Sequence, residues 1–211
     1  MRITCLLATC FVIVACATTP PSQSEQADIC DIFDDRKEWF RAADASERRW
    51  GVPIAIQMAV IRFESGFDDE ARPPRGKRRF LGLIPGKRPS SAYGYAQAID
   101  GTWDQYRRET GRSGADRDDF DDAVDFIGWY GDKAASVAGI RKTDAVAFYL
   151  AYHEGWAGYR SGAWRAKNWL VDTASQGGAT AYRYDPQLPP RRKRLHIGFD
   201  GRVINTRVQA G

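Results

Sequence analysis

The run 54-IAIQMAVIRFESGF-67 decides the fold. Between Ile54 and Ile61 the only polar residue is Gln57, so a helix over 53–65 is apolar on most faces. A helix of that kind belongs at the centre of a core. Gly51-Val52-Pro53 breaks the chain before it, and Pro53 suits the first position of a helix. The run ends on a carboxylate, Glu64. The C-terminal end of a helix dipole disfavours an anion, and apolar neighbours such as Ile61 and Phe63 disfavour it again by desolvation. Both effects raise its pKa. A carboxyl group still protonated near neutral pH is what a general acid needs to protonate a leaving oxygen. The plainer reading is a glutamate that reaches solvent, or pairs with Arg62 or a loop cation.

Outward from this run the pattern stays helical. The stretch 34-DDRKEWFRAADASERRW-50 places Trp39, Ala42, Ala45 and Trp50 near helical spacing, with Asp34 and Asp35 at its start. Residues 95–111 read as short helical pieces, and the acidic 115–126 leads into a helix through Tyr130. The stretch 143-TDAVAFYLAYHEG-155 is a helix with Thr143 as N-cap and Gly155 as its stop. Residues 165–182 give the last helix. No long alternating pattern interrupts this body, so the fold class is all-α, in a single domain over 31–182. The loop 71–94 carries seven cations (Arg72, Arg75, Lys77, Arg78, Arg79, Lys87 and Arg88), no acid and four prolines, which excludes a regular element. A basic extension follows over 183–211. Within it Asp200-Gly201 sits between two alternating segments and signals a short β-hairpin, which is marginal by itself.

The chain of 211 residues, 43% apolar, supports one core. Its net charge of +4 suits anionic surroundings. Residues 1–15 form a leader with one Arg and an uncharged apolar stretch too short to span a bilayer. Ile13-Val14-Ala15-Cys16 resembles a bacterial lipobox, in which Cys16 becomes the lipidated first residue; an ordinary signal peptide cut nearby is the alternative. The polar residues 16–30 then read as a tether. The resemblance implies an exported protein anchored in a membrane through Cys16. The absence of Asp after Cys16 favours the periplasmic side of the outer membrane over the inner membrane. With Cys5 and Cys10 in the leader, Cys30 is the single remaining thiol, expected to be buried beside Ile29, Ile32 and Phe33. Two histidines, no HExxH and no paired CxxC argue against a metal site, and no cofactor is expected. No nucleic-acid motif is present. The Arg191-Arg192-Lys193-Arg194 cluster suits anionic lipid headgroups.

Phe63-Glu64-Ser65-Gly66-Phe67 followed by Ala71 resembles the E-S-x-F-x-x-x-A signature of soluble-type (SLT) lytic transglycosylases, relatives of goose-type lysozyme. In the same order, 94-GYAQAIDGTW-103 resembles the family's G-L-M-Q-I-x-P-x-T-W block and 151-AYHEG-155 its A-Y-N-A-G block. Between them 125-DFIGWYGDKAA-135 resembles, loosely, an N-I-x-x-G-x-x-Y-L helix. Three ordered blocks over roughly residues 50–160 make the match specific. The resemblance implies a lysozyme-like domain that cleaves the β-1,4 bond between N-acetylmuramic acid and N-acetylglucosamine in peptidoglycan, with one carboxyl group acting as acid and then base and a 1,6-anhydro end as product. This differs from the paired carboxylates of most glycosidases. It assigns that role to Glu64. It also assigns substrate-side positions to Ser65, Gln97 and Tyr152, whose hydroxyl would contact the acid. For Ser65 the alternative is a helix-end serine bonding its own turn.

The chain departs from the pattern in three places. Tyr95-Ala96 replaces Leu-Met, which would put Tyr95 at the groove floor. His153-Glu154 replaces Asn-Ala and brings a second carboxylate near the groove. Glu154 would orient substrate, tune Glu64, or act as a base toward water, the last giving a hydrolase; pairing with a loop arginine is the reading favoured here. Glu64 and Gln97 stand 33 residues apart, a long spacing filled by the basic loop, which either grips acidic stem peptides or is a solvated surface. Seven tryptophans and nine tyrosines suit a glycan binder, although Trp103, Trp156, Tyr159 and Trp164, which follow the motifs, read first as core. Two rival functions stay open: a goose-lysozyme-like hydrolase and a non-catalytic peptidoglycan-binding lipoprotein.

Overall fold

A computed structural model describes residues 19–76 and 86–188. The leader through Cys16, the cations Lys77, Arg78 and Arg79, the Arg191–Arg194 cluster and the hairpin reading at 195–208 lie outside the described residues. The described residues form seven α-helices in order: α1 (Ile29–Asp35), α2 (Lys37–Trp50), α3 (Ile54–Glu64), α4 (Asp100–Thr110), α5 (Phe120–Ala138), α6 (Ala145–Ser161) and α7 (Asn168–Tyr184). Among the described residues there is no strand, only an isolated antiparallel bridge between Tyr93 and Ala98. The all-α expectation holds.

Helix α3 is the hub. All of Ile54 to Ile61 is buried, including Gln57, whose amide donates to the Val52 carbonyl at 2.8 Å. Helices α2 and α5 meet in close backbone contact. A Cβ on Gly128 would lie 2.5 Å from Ser46 Oγ and 2.5 Å from Trp50 Cδ1, so only glycine allows this approach. The seam is locked by Asp125, 5% exposed, whose carboxylate accepts from Tyr106 Oη at 2.8 Å and Trp50 Nε1 at 2.8 Å and pairs with Arg112 at 3.1 Å. A buried carboxylate is tolerated when it is so fully partnered.

Several local expectations change. Asp34 and Asp35 close α1 rather than open the next helix, because Arg36 leaves helical geometry at φ −131°, ψ 68°. The N-cap of α6 is Asp144, which accepts from Ala147 N at 3.0 Å, and not Thr143. Gly155 does break α6, at φ 72° and ψ 161°, but the chain resumes as helix to Ser161, so the element bends there instead of stopping.

The expected tether is in part a packed element. Ile29 is fully buried, and Gln26 donates to the Gly66 carbonyl at 3.1 Å while its own carbonyl accepts from Arg62 at 2.6 Å and from Tyr184 Oη. The polar composition of this segment serves hydrogen bonding to the domain, so the fold begins before Asp31. Cys30 is exposed, not buried: Ile29, Ile32 and Phe33 take the inward face of α1 and turn the thiol outward. Its Sγ donates to the Gln187 carbonyl at 3.0 Å. Partial burial and nearby Asp28 and Asp34 push the thiol pKa up, away from the reactive thiolate.

Candidate active site

An open cleft of about 480 Å³ runs across the end of α3. Glu64, Gln97, Phe126, Tyr130, Tyr152 and Glu154 all line it, so all three sequence blocks contribute to one wall set. The size falls in the range of ligand sites.

Glu64 is the last residue of α3 and keeps only part of its surface open, toward the cleft. Burial raises its carboxyl pKa from 4.5 to about 7, and a hydrogen bond from the Tyr149 hydroxyl holds it below where burial alone would set it. The turn that follows is built to aim the carboxylate. Ser65 caps the helix end: its Oγ donates to the Ile61 carbonyl at 3.2 Å and accepts from Phe67 N at 3.1 Å. It therefore takes the local-turn reading, and it is not part of the cleft lining. Phe67 sits in the left-handed region at φ 67°, a strained position for a side chain with a Cβ. It is held there because its ring is fully buried and stacked on Trp39, centroids 5.7 Å apart.

Gln97 is the other non-glycine residue with positive φ, at 47°. Its amide nitrogen donates to the carbonyls of Ala71 and Gly94, each at 2.8 Å, which ties the segment after the Glu64 turn to the second block. The third block joins through Tyr152, whose hydroxyl donates to the Ala96 carbonyl at 2.6 Å. Tyr152 lies close enough to Glu64 for that carboxylate to help raise its pKa, while the hydrogen bond to Glu64 comes from Tyr149, one turn earlier on α6. The sequence reading missed Tyr149; the signal available was its spacing of three residues from Tyr152 on the same helical face.

Tyr95 is not on the groove floor. It is 2% exposed, outside the cleft lining, and packs edge-on against Trp39 and Phe120. Gln97, two residues on, faces the cleft because its left-handed φ of 47° breaks the alternation that would put both side chains on one side. Phe126 and Tyr130 of α5 line the cleft instead.

Glu154 lines the cleft but is engaged. Its Oε1 accepts from Lys167 Nζ at 2.6 Å and lies 3.1 Å from His153 Nδ1, with 6% of the side chain exposed. Lys167, with His153 beside it, holds the Glu154 carboxyl below its usual pKa. The partner is a lysine from the start of α7 and not a loop arginine. Two cations of the basic loop are likewise used internally. Arg72 stacks over the Tyr93 ring at 3.8 Å, and Arg88 donates to the Pro73 carbonyl. Trp103 is buried at 4% exposure, and Trp156, Tyr159 and Trp164 pack against the core, as the sequence suggested.

A search of curated proteins finds no match. A family model described as the transglycosylase SLT domain matches residues 4–190. That span covers the whole helical body and every residue of the cleft. The chain belongs to the transglycosylase SLT domain family, whose activity is of the lytic-transglycosylase type on peptidoglycan.

Proposed function

We propose that the protein is a lytic transglycosylase that cleaves the MurNAc-β-1,4-GlcNAc bond with Glu64 as its single acid and base. The observation that carries this reading is the contrast between the two cleft carboxylates. Glu64 has a pKa near 7, so both of its protonation states are populated at neutral pH. Glu154 is clamped as an anion by Lys167 and is a weak base.

The steps follow from that contrast. Protonated Glu64 gives its proton to the glycosidic oxygen, the bond from that oxygen to C1 of the muramyl sugar breaks, and the N-acetyl oxygen at C2 stabilises the electron-poor C1. The Glu64 carboxylate, supported by the Tyr149 hydroxyl, then takes the proton from the C6 hydroxyl, whose oxygen bonds C1. Glu64 is restored and no water is consumed. An inverting hydrolase would need a second base to activate water, and the Lys167 pairing works against Glu154 in that role.

Mass spectrometry of soluble products from purified peptidoglycan sacculi tests the reading. Wild-type protein should release anhydro-ended muropeptides, one water lighter than reducing-ended ones, and Glu64→Gln should release none while still sedimenting with sacculi. Reducing ends would establish the hydrolase, and turnover by Glu64→Gln would refute the mechanism. The leader pattern supports an exported lipoprotein anchored through Cys16 on the periplasmic side of the outer membrane. Incorporation of a labelled fatty acid that is lost in Cys16→Ser checks this.

A further inference from the structure

Of the seven tryptophans, Trp169 alone is largely exposed, at 56%. It belongs to none of the three sequence blocks. Its place is fixed by the rigid elements around it. Leu170, the next residue, is fully buried and anchors the first turn of α7 in the core. The Lys167–Glu154 pair, at 2.6 Å, ties the start of α7 to α6 where α6 borders the cleft. As a result the Trp169 ring stands against the His153 ring, centroids 5.0 Å apart and planes at 78°. His153 itself lines the cleft. The indole therefore stands beside the cleft, against one of its lining residues.

An exposed indole held beside charged groups has the chemistry of a pyranose site. The sugar's C–H face packs on the flat apolar ring, and its hydroxyl and acetamido groups bond the polar side chains at the ring's edge. His153, with 38% of its side chain exposed, supplies the polar edge next to the ring. The ion pair beneath keeps both groups in place before substrate arrives, which limits the ordering cost of binding. Resting on the functional reading above, we propose that Trp169 with His153 forms an outlying sugar subsite, which holds a ring of the glycan strand beyond the sugars gripped next to Glu64.

Binding of β-1,4-linked N-acetylglucosamine dimer and hexamer, measured by calorimetry in the Glu64→Gln background, tests the proposal. Trp169→Ala should weaken hexamer binding about tenfold and leave dimer binding unchanged, whereas Trp169→Tyr should retain most of the hexamer affinity. Thermal unfolding of both variants, expected to match the parent because the side chain is exposed, separates lost contact from lost fold. If the parent binds both saccharides and Trp169→Ala binds hexamer within twofold of it, the subsite is refuted and the functional reading stands. If the parent binds neither saccharide and the wild type releases nothing from sacculi, the functional reading fails and the subsite falls with it.

Discussion

Replacing Glu64 by glutamine should make the protein more stable above neutral pH. A group whose pKa is raised by folding, here from 4.5 to about 7, binds its proton more tightly in the folded state. Its contribution to stability is complete below pH 4.5, declines as the pH rises, and is lost once the pH passes about 7. The wild type therefore loses roughly 2.5 kcal/mol between pH 5 and pH 8 that a non-titrating glutamine does not lose. Glutamine keeps the shape of the side chain and an oxygen to accept from Tyr149, so packing changes little. The assay is thermal unfolding of both proteins at pH 5 and pH 8. The Tm of the variant relative to wild type should rise by about 5–10 °C across that interval. Parallel pH dependence of the two proteins would refute the argument, because it would mean that Glu64 ionises without cost and has no reason to be protonated at neutral pH.

Four further outcomes are expected. Tyr149→Phe removes the hydrogen bond that favours the Glu64 anion, so the alkaline limb of the pH–rate profile on labelled sacculi should move to higher pH. Glu154→Gln should leave the products anhydro-ended, as read by mass spectrometry, if Glu64 works alone. Asp125→Ala strips buried Tyr106 and half-buried Trp50 and Arg112 of their common acceptor and should cost about 3 kcal/mol or more in urea unfolding, with Asp125→Asn milder. Gly131→Ala would bring a Cβ 2.4 Å from Phe148 Cε2 and 2.6 Å from Val52 Cγ2, and should cost about 1–3 kcal/mol by overpacking.

The parts of this molecule readable from sequence were those governed by period and by motif order. The apolar run of α3 named its own burial, and the three blocks did converge on one cleft. What escaped depended on partners distant in the chain. Tyr95 and Gln97 are two residues apart, yet one enters the core and the other the cleft, because Trp39 and Phe120 receive the tyrosine. Glu154 gave no sign of Lys167, which lies beyond the bend at Gly155. Cys30 has apolar neighbours in sequence, but Ile29, Ile32 and Phe33 share the inward face of α1 and leave the thiol on the other. The segment before Asp31 looked like a spacer because hydrogen bonds to Gly66, Arg62 and Tyr184 leave no mark in a local hydropathy pattern.

That last segment has a mechanical consequence. Gln26 grips Gly66 and Arg62, residues that stand two positions on either side of Glu64. A tensile load on the chain upstream of Pro21 meets the bond from Arg36 to the Thr19 carbonyl, at 2.9 Å, and then these bonds. On the proposed mechanism, pulling on that end would therefore strain the turn that carries Glu64, because Gly66 and Arg62 flank it.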